Sequence, residues 1–114
     1  MPLITVVELP EFQRAARKLM TEPEVDDLID HLARHPPAGS VIEGTGGIRK
    51  LRWALQSRGK RGGARVIYFF HDERYPLMLL SIYAKGAKDD LSPKERRDLA
   101  SLVSALKRSR RTPQ

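Results

Sequence analysis

Apolar positions recur with two periods, and the switch between them divides the chain into a helical first part and a stranded middle. Residues 3–8, LITVVE, are short and β-branched and predict a strand. Phe12, Ala15, Ala16, Leu19 and Met20 then follow at helical spacing and mark one face of a helix. Thr21 and Glu24 form a T-x-x-E capping box, with Pro23 in the first turn. The helix it opens buries Val25, Leu28, Ile29, Leu32 and Ala33, and Pro36 and Pro37 end it. Two amphipathic helices with so tight a break predict an αα-hairpin. Gly39 to Gly47 reads as a loop, and from Ile48 the period becomes two. Leu51, Trp53 and Leu55 share one face of a strand, and Lys50, Arg52 and Ala54 the other. Ser57 to Gly63 is a turn, 65–71 a second strand, Asp72 to Pro76 a second turn. The third strand, 77–84, LMLLSIYA, is almost continuously apolar, as a central strand is. These three form an antiparallel meander. Ser92, Pro93 and Glu95 open a last helix burying Leu99, Leu102, Val103 and Leu106. The expected fold class is α+β: an N-terminal strand and helical hairpin packed on an antiparallel sheet, with a C-terminal helix.

A length of 114 residues suits one domain, 1–114, with 107–114 expected to fray once its apolar residues are gone. A hydrophobic fraction of 40% supports a modest core. With no cysteine, disulfides, thiolate metal sites and cysteine nucleophiles are excluded, which fits a cytoplasmic protein. The opening MPLITVVELPEF does not read as a signal peptide, and no run approaches the ~20 apolar residues that span a bilayer.

Charge changes the picture more. The 21 Lys and Arg against 14 Asp and Glu give a net charge of +7, which suits a polyanionic partner. Arg49, Lys50, Arg52, Arg58, Lys60, Arg61 and Arg65 fall close together, and Lys85 joins from the end of the third strand. No acid lies between Arg49 and Phe70, whereas ordinary solvated surfaces mix signs. The hairpin from Gly44 to Phe70 therefore reads as a basic face that grips RNA through phosphates. A face that only contacts an acidic antagonist or ribosomal RNA is the alternative. No basic amphipathic helix points to a membrane.

Other chemistry finds little support. His31 and His35 have metal-ligand spacing but no third ligand and no H-E-x-x-H glutamate, so no metal is expected. His71 reads as a turn residue, and GTGG at 44–47 lacks a Walker ending and precedes a strand. No cofactor is implied. A cation-rich site can still cleave RNA, because the 2′-hydroxyl is the nucleophile. The protein has to align it, move protons and stabilise the phosphorane. Arginine suits the last task, and a lysine among cations can exchange a proton.

The run GTGGIRKLRWALQSRGKRGGARVIYFF, continuing to LLSIYAKGAKDDLSPKE, resembles the HigB branch of the RelE/ParE toxin superfamily over nearly the whole chain. GGxRKxR, GKRGGxRVIY and IYAK carry the likeness. The resemblance implies a RelE-like fold and a metal-independent endoribonuclease, the toxin of a type II toxin–antitoxin module. Such a toxin cuts mRNA in the ribosomal A site and inhibits translation. A HigA-like helix-turn-helix antitoxin would silence it, with operator DNA bound only through that complex. The family pattern falls on Lys50 as proton acceptor or relay, Arg65 as phosphorane stabiliser, and Arg52 and Lys85 as phosphate clamps, with Lys85 also a candidate proton donor. Arg49, Arg58, Lys60, Arg61 and Lys88 are assigned to RNA backbone. The pattern has a tyrosine near the start of the last helical segment where this chain has Leu91, leaving Tyr83 or Tyr68 for stacking. Lys85 shares a face with Arg65 only if the strand register allows it, as it would with the two opposite each other. Two other readings stay open: a ParE-like, non-enzymatic gyrase-binding toxin, and a non-catalytic RNA-binding regulator.

Overall fold

The computed structural model describes residues 3–55, 63–86 and 90–111. Arg58, Lys60, Arg61 and Lys88 lie outside them. The chain runs β1 (Val6–Glu8), α1 (Pro10–Leu19), α2 (Glu22–Arg34), β2 (Ser40–Val41), β3 (Ile48–Trp53), β4 (Ala64–Phe69), β5 (Leu77–Ala84) and α3 (Pro93–Arg111). Both capping boxes form. Glu24 N–H donates to Thr21 Oγ1 at 3.3 Å while Thr21 N–H donates to Glu24 Oε1 at 3.0 Å. Ser92 and Glu95 repeat the exchange at 3.1 and 2.8 Å. Each pair satisfies two amide donors that a helix start leaves open.

The five strands form one sheet in the order β1-β5-β4-β3-β2. The meander is present in β3, β4 and β5, and the N-terminal strand joins it at one edge, parallel to β5. At the other edge the expected loop contributes the two-residue β2. Two extended residues carry no readable period, so only pairing with Arg49 and Lys50 reveals them. The near-continuous apolar run of β5 reflects cover on both faces. It also holds a bulge: Ile67 faces Ser81, but Tyr68 faces Leu79, leaving Leu80 without an opposite residue.

Each face of the sheet has its own core. Phe12 and Ala16 of α1 and Leu28 and Leu32 of α2 pack with Val66, Tyr68, Leu77, Leu79 and Ile82. Val103 of α3 packs with Ile48, Ile67, Phe69, Leu80, Tyr83 and Leu91 on the other side. Lys50 and Arg52 alternate in step with Ile48, so they belong to the α3 face.

α3 runs on to Arg111, past the point where its apolar pattern stops. Tertiary contacts hold this last turn. Lys107 Nζ donates to Gly46 O at 2.8 Å, and Arg110 donates to Pro76 O at 3.4 Å and lies over Tyr75. The GTGG turn that supplies Gly46 needs its glycines: Gly44, Gly46 and Gly47 have φ of 78°, 79° and 118°.

Gly39 is needed for space instead. A Cβ there would lie 2.7 Å from Lys50 O and 3.0 Å from a Tyr68 ring carbon. Gly39→Ala should therefore cost about 1–3 kcal/mol, as overpacking does. A urea midpoint within error of wild type would contradict this.

Candidate functional site

Pairing across the sheet lines up the residues singled out in the sequence. Arg52 lies opposite Arg65, and Arg65 opposite Tyr83, giving one row across β3, β4 and β5 on the α3 face. Lys50 occupies the next position on that face, opposite Ile67. Lys85 follows β5, and its N–H donates to Gly63 O at 2.9 Å. This pairing differs by two residues from the one in which Arg65 and Lys85 oppose each other. A shift of two preserves the face, so Lys85 stays on the side of Arg65.

Two guanidinium groups directly opposite each other repel. Among the described residues, Arg52, Arg65 and Lys85 have no ion-pair partner. Arg65 is half-buried, and its Nε is enclosed without a hydrogen-bond partner. A buried polar group left unpaired costs about 1–3 kcal/mol. An anion between the two arginines would relieve the repulsion.

Lys50 is placed differently. Its Nζ sits 3.5 Å from Asp90 Oδ2, which Arg96 also approaches at 3.3 Å. The Leu91 N–H donates to Asp90 Oδ1 at 2.8 Å. That bond above all, then the charges of Lys50 and Arg96, holds Asp90 below the usual carboxylate range. Asp90 therefore stays ionised and aims the Lys50 ammonium. This carboxylate was missed in the sequence, where it reads as one residue of a polar connection. Its place just before the Ser92–Glu95 capping box was the available signal.

Arg49 does not join the row. It pairs with Tyr68, on the helical-hairpin face, and its Nη1 donates to Gly39 O at 2.7 Å and Pro37 O at 3.2 Å. Arg49 thus fastens the loop after α2, away from the Arg52–Arg65 row. Tyr68 is likewise unsuited to stacking, being fully buried, with its hydroxyl donating to Pro36 O and accepting from Gly39 N–H, both at 2.7 Å. Burial pushes its phenol above the ordinary 10.0, which keeps the donated proton in place. Tyr83 is the tyrosine on the basic face. Its ring is 9% exposed, in the same core as Leu91, which is 7% exposed. Leu91 thus fills core space at the start of the last helix.

His31 lies 5.3 Å from the His35 ring and 5.2 Å from Trp53. Among the described residues, no three potential metal ligands come together, and no helix is long and apolar enough to cross a membrane. His71 follows β4, beside Asp72, whose carboxylate is 2.9 Å from Arg74. The Arg74 side-chain hydrogen bonds, followed by its backbone N–H, lower Asp72 to about 2. A depressed carboxylate stabilises the fold above its unfolded pKa and loses that contribution as pH falls through the folded value. Acid titration should therefore weaken the fold between pH ~4 and ~2. Asp72→Asn should flatten this part of a stability–pH curve, whereas an unaltered curve would remove Asp72 from it.

A mostly antiparallel five-stranded sheet, with a helical hairpin on one face and a long C-terminal helix on the other, defines a RelE-like α+β fold. A solved structure similar to it is that of the toxin RelE of E. coli, in a mutant form in the free state. The TM-score is 0.59 over 88% of this chain and 96% of that one, at 16% identity. No family model matches the chain.

Proposed function

We propose that this protein is the toxin of a type II toxin–antitoxin module, of the HigB type, and that it inhibits translation by cutting mRNA in the ribosomal A site. The observation that carries this is the Arg52–Arg65 pair, two arginines at opposed strand positions with no ion-pair partner among the described residues, on a RelE-like fold. Their planar donors suit a phosphate and the extra charge of a phosphorane. In this reading Arg65 stabilises the phosphorane, Arg52 and Lys85 clamp the flanking phosphate, and Lys50, in its neutral amine form, accepts the proton of the attacking 2′-hydroxyl, after which Asp90 pairs with the ammonium that results. Lys85 is the candidate donor to the leaving oxygen. Arg58, Lys60, Arg61 and Lys88 add contacts to RNA backbone. No step in this scheme requires a metal.

The partners follow: mRNA and the ribosome in the cytoplasm, a HigA-like antitoxin that silences the site, and operator DNA only through the toxin–antitoxin complex. A brief induction pulse in a bacterial host tests the proposal. Growth should stop and messages should carry new 5′ ends within their coding regions, mapping to the A site. A DNA-damage response with intact messages would favour a gyrase-binding toxin instead. Salt-sensitive RNA binding without cleavage on ribosomes would favour a plain RNA-binding regulator.

A further inference from the structure

The last turns of α3 and the turn after β4 border an open cavity of about 480 Å³ that the Arg52–Arg65 row does not use. Arg74, Tyr75, Ser104, Lys107, Arg108 and Arg110 line it. We propose that this cavity is a second anion site, which takes a phosphate of an RNA chain. The inference rests on the protein being an RNA binder.

Aromatic rings hold the cations in place. The Arg110 guanidinium lies 4.4 Å from the Tyr75 ring centre and 5.3 Å from that of Phe69, and Lys107 Nζ lies 5.9 Å from Phe69. The charges differ in how they are balanced. Arg74 faces the Asp72 carboxylate at 2.9 Å. Lys107 and Arg110 meet only neutral acceptors, Gly46 O and Pro76 O, and neither has an ion pair among the described residues. One atom shows what is missing: Arg110 Nη1 is enclosed and has no hydrogen-bond partner. A guanidinium N–H without an acceptor is costly, and a small shift of the Arg110 side chain would bring it to an anionic oxygen held in the cavity that Arg110 lines.

Cations at a helix C-terminus also answer the macrodipole, and Lys107, Arg108 and Arg110 do so here. The macrodipole, however, calls for neither a cavity nor an enclosed, unpaired Nη1. A carboxylate of an acidic protein segment has the right charge too. Placement favours RNA. Phe69, beneath Lys107 and Arg110, shares a face of β4 with Arg65, four residues or about 13 Å away. Phosphates recur regularly along a nucleic-acid chain, so one strand can engage the row and the cavity together.

The test compares RNA binding by the full-length protein with that of an Arg110→Gln, Lys107→Gln variant, across a series of salt concentrations. A single-stranded RNA oligonucleotide is the probe. Affinity near 0.1 M salt should drop about tenfold, and the slope of log K against log salt should shrink by about one. Arg34→Gln, on α2, is the control and should change neither. An unchanged slope in a variant with wild-type circular dichroism overturns the proposal. Inorganic phosphate titrated into the wild type gives an independent reading by NMR. Saturating shifts at Tyr75 and Ser104 that vanish in Arg110→Gln support the site, and their absence from the wild type overturns it. If polyglutamate displaces the RNA from the wild type as effectively as a second RNA does, and binds through Arg110, the cavity takes an acidic protein segment and the RNA assignment fails. Failure of the toxin reading looks different. RNA binding would then keep its dependence on Arg110 while ribosomes carry uncut messages.

Discussion

Arg65→Ala should abolish growth arrest on induction and slow cleavage on programmed ribosomes by about 10²–10³-fold, the usual loss when one donor to a transition-state anion is removed. Arg65 sits in the middle strand of the basic row, with Arg52 opposite on one side and Tyr83 on the other. Its enclosed Nε already lacks an acceptor. Arg65→Lys should recover little, because a point charge does not reproduce a planar fork. Alanine also removes the repulsion from Arg52, so the variant should melt no lower than wild type. A variant that folds, arrests growth and still cuts messages would remove Arg65 from the chemistry. One that fails to fold would show that Arg65 is structural.

The largest effect on stability is expected at Phe12. It is fully buried where α1 lies on the sheet, in one core with Leu28, Leu32, Leu77 and Leu79. Truncation of a buried phenylalanine costs about 3–5 kcal/mol, the lost transfer energy plus the cavity left behind. A domain of this size holds only about 5–15 kcal/mol in all. Phe12→Ala should therefore lose a large part of its stability in urea, with the slope of the transition unchanged. A midpoint shift worth under about 1 kcal/mol would mean that α1 closes over the gap. Because α1 covers the face away from Arg52 and Arg65, any variant that stays folded should leave the proposed RNA-binding face intact.

Local chemistry made the helices legible. Thr21–Glu24 and Ser92–Glu95 lie within one turn, and their reciprocal bonds need no distant partner. The period-two strands and the acid-free run from Arg49 to Phe70 were likewise plain in the order of residues. Local order could not decide register, because a slip of one residue exchanges the faces of a strand without altering its pattern. Pairing of Arg52 with Arg65 and of Arg65 with Tyr83 is what turns scattered cations into a row. It is also what sends Arg49 to the opposite face, where the carbonyls of Pro37 and Gly39 claim it. The same holds for Asp90, which acts on Lys50 from 40 residues further along the chain, and for Lys107, which reaches Gly46 from 61 residues away. The sequence by itself determined the fold class, the sign of the charge and the segments that carry it, since these follow from composition, period and caps. Which cations converge, which one is held by a carboxylate, and which are taken up by the loop or the far end of α3 was decided only by tertiary structure. Those outcomes depend on contacts between residues distant in the chain, and no local preference encodes them.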